Sequence, residues 1–274
     1  MKKIIVLLSF VCAVLLGNEF ETAAKAYEAG DYQKAFKYSK IACESGEYRG
    51  CAILGDLYAI KQIHTEASKY YNLACENGIY QACYNLGVLY ESGQGVEQNY
   101  TKTFKYYKIA CDNGEYLGCN NLGGLCEFGK GVRQNYAEAS KYYKLACDNG
   151  EYQGCYNLGR LYTNGQGMKQ DYTEAVKYYK IACENEVYRG CYNLGVLYRD
   201  GQGVRQNYTE ASKYYKLACE NEVYQGCYNL GVLYENGQGV RQGYSMAKEY
   251  YGRACDLGDQ KGCDTFADLN QKGY

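Results

Sequence analysis

The chain has 274 residues and contains no proline, no tryptophan and a single histidine, His64. One histidine excludes a His-built metal centre, or a repeated Cys–His dyad, anywhere except around residue 64. Most enzyme mechanisms lose their usual base. An excess of one charge is missing too: 30 Lys and Arg against 31 Asp and Glu give a formal net charge of -1. A chain so balanced offers no electrostatic footprint for DNA, RNA or an anionic membrane, which need clustered Lys and Arg. Nucleic acid is not expected as a partner.

Long apolar runs are absent after the first residues. Lys2 and Lys3 precede an apolar stretch from Ile4 to Leu16, too short to cross a bilayer as a helix and suited to the core of a signal peptide. A leader is expected over residues 1–17, with cleavage near Gly17 or Asn18 and a mature chain over 18–274. Cys12 lies inside the apolar run with no small residue before it, which argues against a lipoprotein. No later run would anchor the mature chain, so the expected location is secreted or periplasmic, with no transmembrane anchor once the leader is gone.

What the sequence has in abundance is 36 Tyr, 33 Gly and 16 Cys. The cysteines form seven pairs at i and i+8: Cys43/Cys51, Cys75/Cys83, Cys111/Cys119, Cys147/Cys155, Cys183/Cys191, Cys219/Cys227 and Cys255/Cys263. From Cys75 onward the pairs recur every 36 residues; the first interval is 32, because the segment from Ile60 to His64 lacks most of a Gly-x-Gly loop. The mature chain is one array, with units at about 31–64, 65–100, 101–136, 137–172, 173–208, 209–244 and 245–274.

Each unit reads as two helices. Ala211, Tyr214, Tyr215 and Ala218 follow the i, i+3, i+4, i+7 spacing of a buried helical face, and Cys227, Leu230, Gly231 and Tyr234 repeat it in the second helix. Gly237-Gln238-Gly239 ends that helix, since Gly readily takes the left-handed C-cap. Neither helix buries its stripe alone, so the units must stack. The expected fold is all-α, an α/α solenoid superhelix of seven stapled helical hairpins. Gly87, Gly123, Gly159, Gly195 and Gly231 fall inside second helices, at ~1 kcal/mol each against Ala. Five such costs imply close approach of a partner helix, with a Tyr filling the hole beside it.

In an exported chain the fourteen paired cysteines read as seven local disulfides, each stapling one hairpin. Zinc would need four ligands at knuckle spacing, and an i, i+8 pair without His does not supply them. No metal and no cofactor is expected. Cys126 remains outside the pairs, at the position of Tyr90, Tyr162, Tyr198 and Tyr234.

Leu86-Gly87-Val88-Leu89-Tyr90 with Gly93-Gln94-Gly95-Val96, after Ala67, Tyr71 and Ala74, resembles Sel1-like repeats, which are related to tetratricopeptide repeats. The cysteine pair in every repeat, behind a leader, resembles the secreted Helicobacter cysteine-rich proteins. The resemblance covers about residues 31–274. It implies a scaffold whose concave face holds a protein or peptide segment, of the bacterial envelope or of a host. It also implies an alternative: weak binding and hydrolysis of β-lactams, with a β-lactam or cell-wall fragment as ligand.

Asn85, Asn121, Asn157, Asn193 and Asn229 stand just before Leu-Gly in each second helix, matching the tetratricopeptide position that contacts ligand backbone. An amide donates and accepts at once, which suits an extended peptide. Beside them Tyr84, Tyr156, Tyr192 and Tyr228 offer amphipathic surface, with Asn120 replacing Tyr in the third unit. Arg160, Arg189 and Arg199 are expected on one face as an anchor for a carboxylate. For hydrolysis, Ser245-Met246-Ala247-Lys248 fits S-x-x-K, but no S-D-N or K-T-G element accompanies it, and an N-cap role suits Ser245 better. His64 reads as a solvated loop residue. Asn99 and Asn207 head N-x-T sequons.

Overall fold

The structure, a computed structural model, describes residues 19–274. The leader expected over residues 1–17, its cleavage point and Cys12 lie outside the described residues. Among the described residues every regular element is a helix and there is no strand. The chain forms two compact units, one ending at Gln134 and one spanning Asn135–Tyr274.

In the first unit α1 (residues 19–28) leads into α2 (Tyr32–Glu44), α3 (Tyr48–Ile60), α4 (His64–Glu76), α5 (Tyr80–Ser92), α6 (Tyr100–Asp112) and α7 (Tyr116–Phe128). The second holds α8 (Tyr136–Asp148), α9 (Tyr152–Asn164), α10 (Tyr172–Glu184), α11 (Tyr188–Asp200), α12 (Tyr208–Glu220), α13 (Tyr224–Asn236), α14 (Tyr244–Asp256) and α15 (Gln260–Gln271). Each unit is a stack of antiparallel hairpins in which every helix packs on the helices before and after it.

The uniform length of α2 to α14, 13 residues each, has local causes at both ends. Where a Gly-x-Gly loop precedes a helix, Asn99, Asn135, Asp171 and Asn207 cap it: each side-chain oxygen accepts from the N–H three residues on, at 2.9–3.1 Å. At the other end Gly237 closes α13 in the left-handed conformation, φ 67°, donating to the Leu233 carbonyl. Gly239, φ 68°, then lies against the start of α12, where an added Cβ would come within 2.5 Å of the Thr209 nitrogen. The loop is latched by glutamine. Gln98, Gln134, Gln170, Gln206 and Gln242 each donate from Nε2 to the carbonyl seven residues earlier, at 2.7–2.9 Å.

All seven cysteine pairs are disulfides: Cys43–Cys51, Cys75–Cys83, Cys111–Cys119, Cys147–Cys155, Cys183–Cys191, Cys219–Cys227 and Cys255–Cys263, with Cα atoms 4.5–4.8 Å apart. Each joins the end of one helix to the first turn of the next. The staples are core as well as cross-link. Cys51 and Cys155 have no exposed surface, because their sulfurs point into the seam between paired helices. Cys263, on α15, is half-buried, since among the described residues no later hairpin packs over that helix. Cys126 is buried and forms no disulfide.

The core is built from Ala, Leu, Cys and one tyrosine per repeat. Tyr107, Tyr143, Tyr179, Tyr215 and Tyr251 are the largest fully buried side chains. The helical glycines make room for them: a Cβ on Gly87 would lie 2.7 Å from the Tyr107 ring, on Gly159 2.8 Å from Tyr179, and on Gly195 2.7 Å from Tyr215. The preceding tyrosine of each Tyr-Tyr pair is shallower and stacks on the repeat before: Tyr90 on Tyr106, Tyr162 on Tyr178, Tyr198 on Tyr214 and Tyr234 on Tyr250, with centroids 5.5–5.6 Å apart. In α13 the last fully buried position is therefore Leu233, and Tyr234, expected in the buried stripe, is half-buried in a stack. The stripe is shifted by one residue because the stacking partner lies beside the helix rather than beneath it.

Candidate functional site

The asparagine row occupies half-buried positions on α5, α7, α9, α11 and α13. Part of its capacity serves the fold. Asn85, Asn121, Asn193 and Asn229 adjoin the hydroxyls of Tyr71, Tyr107, Tyr179 and Tyr215, the buried tyrosines of the helices paired with them. Asn85 Nδ2 also donates to Asp56 Oδ1 at 3.2 Å. Asn157 holds the equivalent half-buried position on α9. The amides are thus supports of the seam between helices.

The accompanying tyrosines are half-buried as well. Each lies against the buried tyrosine of the following repeat: Tyr84 on Tyr107 at 5.6 Å, Tyr156 on Tyr179 at 6.0 Å, Tyr192 on Tyr215 at 6.0 Å and Tyr228 on Tyr251 at 5.3 Å between centroids. In the second unit two of them meet an asparagine in one place. Tyr192, Tyr228 and Asn229, with Tyr224, Gln225, Asp259 and Lys261, line an open groove of about 370 Å³. Aromatic rings, an amide and charges of both signs in one lining suit an amphipathic, hydrogen-bonding ligand.

The three expected arginines lie on α9 and α11. Arg199 is half-buried and holds Asp200 in a two-pronged pair at 2.7 and 2.9 Å, which raises its pKa above the ordinary guanidinium value. Arg160 stands beside Tyr179 on α9 and favours its ionised form. Arg189 is exposed in the first turn of α11, ten residues and ~15 Å along the axis from Arg199.

Of the Ser245–Lys248 pair, the lysine is engaged by α15 and the last residue. Ser245 is exposed and is not the N-cap of α14, which is Gly243; it lies in the first turn, one residue after Tyr244. Lys248 Nζ donates to Asn270 Oδ1 at 2.7 Å and to the Tyr274 carbonyl, tying α14 to the end of α15. His64, expected in a solvated loop, is the first residue of α4 and half-buried, with Nδ1 buried and without a partner. Asn99 and Asn207, the sequon residues, are helix caps.

The buried hydroxyls carry the strongest electrostatic perturbations. Tyr179 is pushed up to about 12, by burial first, with Thr163 and Asn193 opposing. Tyr107 and Tyr251 are raised further by burial and by Glu91 and Glu235, whose carboxylates accept hydrogen bonds from their hydroxyls at 2.6 Å. Tyr215 is raised by burial, with Arg199, which stands where Glu91 and Glu235 do in their repeats, and Asn229 opposing. Asp56 was missed by sequence reasoning, though an acid inside Leu54-Gly55-Asp56-Leu57 was a visible signal. Among the described residues no three His, Cys, Asp or Glu side chains gather in a metal-binding cluster, and no helix is long and apolar enough to cross a membrane.

These features define a disulfide-stapled α/α repeat protein with a row of Asn and Tyr on the second helix of its hairpins. Residues 16–47, 81–115, 117–151, 153–187, 189–223 and 225–259 match the Sel1 repeat, and the chain belongs to that family. In the matched phase the repeats from residue 81 onward begin with the helix that carries the asparagine, so Cys111–Cys119, Cys147–Cys155, Cys183–Cys191 and Cys219–Cys227 link consecutive repeats. A protective antigen of uropathogenic Escherichia coli with an SLR fold is 28% identical, with a TM-score of 0.83, over 87% of this chain and 52% of that one. This chain therefore spans about half the length of the antigen. A Sel1 repeat protein of Oxalobacter formigenes is 25% identical, with a TM-score of 0.74, over 78% of this chain and 88% of that one. Helicobacter pylori cysteine rich protein B is 33% identical over 47% of this chain and 92% of that one, with a TM-score of 0.39. No curated protein matches the chain.

Proposed function

We propose that the chain, mature from about residue 18, is an exported binding scaffold that holds an extended peptide or protein segment along the Asn- and Tyr-bearing helices of the second unit. The observation that carries this reading is the groove of about 370 Å³ in the second unit, where Tyr192, Tyr228 and Asn229 come together with Asp259 and Lys261. The Asn229 amide has the donor and acceptor that a backbone needs, and the tyrosine rings supply flat area at low entropic cost. Seven disulfides support an oxidising environment outside the cytoplasm.

The test is capture of partners under non-reducing conditions with wild-type protein and with a Tyr228→Ala, Asn229→Ala variant of unchanged helical circular dichroism. The variant should lose the partners that the wild type retains. Recovery of the same set by both would end the proposal. The alternative of a weak β-lactam hydrolase gains nothing from Ser245, since the Lys248 ammonium is held by Asn270 and Tyr274. Nitrocefin turnover that vanishes in Ser245→Ala would restore it.

A further inference from the structure

The first hairpins differ from the later ones in how a buried tyrosine is satisfied. In two later repeats the tyrosine donates to a carboxylate four residues after the packing glycine, Tyr107 to Glu91 and Tyr251 to Glu235. In α3 that place is Ala59. The carboxylate comes instead from Asp56, next to Gly55, where the later repeats carry Val88, Gly124, Arg160, Val196 and Val232. Tyr71 donates to Asp56 Oδ1 at 2.7 Å, and Asn85 Nδ2 donates to the same oxygen at 3.2 Å. Both hydrogen bonds fall on one oxygen, and Oδ2 takes neither.

The exchange leaves space. Ala59 does not fill the volume that a glutamate would, and an open groove of about 440 Å³ lies there, walled by Tyr27, Tyr71 and Tyr84, with Ile60 and Val88 along it and Asp56 at its polar end. His64 also lines it, its Nδ1 buried and without a partner. Among the described residues no Lys or Arg lines the groove. Burial raises the pKa of Asp56, with only the Tyr71 hydrogen bond opposing. A half-buried carboxylate with no Lys or Arg beside it is costly to the fold and marks a place where a ligand supplies the missing charge.

We propose that this groove binds a primary ammonium group on a short aliphatic arm, with Asp56 Oδ2 as its counter-ion. A point cation fits better than a guanidinium, because the fork of an arginine needs both carboxylate oxygens and Oδ1 is already taken by two donors. Tyrosine faces attract a cation, and the aliphatic residues receive the arm. The groove volume is that of a small-ligand site. The ammonium belongs to a lysine side chain or to the α-amine of a chain end. This site is separate from the groove of the second unit, and either reading stands if the other fails.

The experiment titrates the full, oxidised chain, followed by amide NMR shifts, with Nα-acetyl-lysine amide, with alanine amide, and with Nα-acetyl-norleucine amide as the arm without its charge. One or both ammonium probes should shift the signals of Asp56 and Val88, and norleucine should not. Asp56→Asn, which keeps an acceptor for Tyr71, should weaken the binding at least ~10-fold. Val88→Arg, which copies the residue at the equivalent position 160, should block it by placing a tethered cation in the groove. Which probe binds identifies the source. Binding by neither ammonium probe, equal binding of norleucine, or binding unaffected by both variants would overturn the proposal.

Discussion

At the residue scale the repeats differ in how much conformational strain they carry. The turn between paired helices needs a left-handed residue, supplied by Gly114 and Gly150 in two repeats but by Glu186 (φ 66°) and Glu222 (φ 64°) in the next two. A side chain there costs roughly 1–2 kcal/mol, against 0.5–1 kcal/mol of extra chain entropy that a glycine loses on folding. Glu186→Gly and Glu222→Gly should each raise stability by about 0.5–1 kcal/mol, read as a higher urea midpoint. The helical glycines behave in the opposite way. Gly195→Ala drives a methyl into the Tyr215 ring and should lower stability by ~1–2 kcal/mol, the overpacking cost less the helix propensity regained. Tyr179 predicts a pH effect. Its pKa of about 12 lies above that of an unfolded tyrosine near 10, so the folded state holds the proton longer. The stability it contributes is fully present below pH ~10 and is lost as pH rises from there towards 12, which absorbance titration at ~295 nm beside alkaline unfolding would show.

At the element scale the helices end where they do because of side chains two or three residues outside the apolar pattern. Asn207 caps α12, and Gln206 beside it latches the loop to the Arg199 carbonyl at 2.7 Å. Asn207→Ala should cost ~1 kcal/mol of stability, measured by chemical denaturation, with Asp at the same position restoring most of it. A glycan on Asn207 or Asn99 would have to remove that cap, so both should remain unmodified in intact-mass spectra of folded protein. The helical hairpins and their cysteine pairing were legible in the sequence, because a 36-residue step repeated across Ala211, Tyr215, Cys219 and Cys227 leaves one consistent phase. The depth of the staples was not: the same i, i+8 spacing puts Cys155 wholly inside the seam and leaves Cys263 half-buried, a difference set by what packs over each hairpin. The caps were legible only in part. Ser245 was assigned to a cap that Gly243 holds, since the start of a helix depends on the Asn/Asp after the loop and not on the apolar stripe. What Arg199 and Lys248 hold could not be read at all. Their partners, Asp200 and the carbonyl of Tyr274, are settled by rotamer and packing rather than by periodicity. Asp56 was hidden for the same reason: its value comes from Tyr71 and Asn85, 15 and 29 residues away.

At the scale of the whole molecule, small local cores are held by short covalent loops. Each disulfide spans a sequence separation of 8, which in the chain-entropy model is worth ~2–3 kcal/mol. Seven such terms exceed the ~5–15 kcal/mol total stability of an ordinary domain. Complete reduction should therefore abolish cooperative unfolding at 37 °C and most of the helical circular dichroism, whereas removing one staple by Cys183→Ala with Cys191→Ala should cost only about its own share. A reduced chain that melts like the oxidised one would show that the helices hold without their staples. The shortness of these loops also bears on how the molecule comes to be oxidised. A thiol such as Cys111 meets Cys119 at 8 positions, but meets Cys83 only at 28, and encounter probability falls as the three-halves power of separation, so the native partner is favoured ~6-fold while the chain is still unfolded. Followed from the amino terminus, the correct partner of each disulfide cysteine is either the last one made or the next one to be made, and Cys126, 7 positions after Cys119, emerges only once Cys111 is already within reach of Cys119. A chain emerging residue by residue into an oxidising compartment can complete every bond in order of synthesis, with little need for a catalyst that reshuffles disulfides.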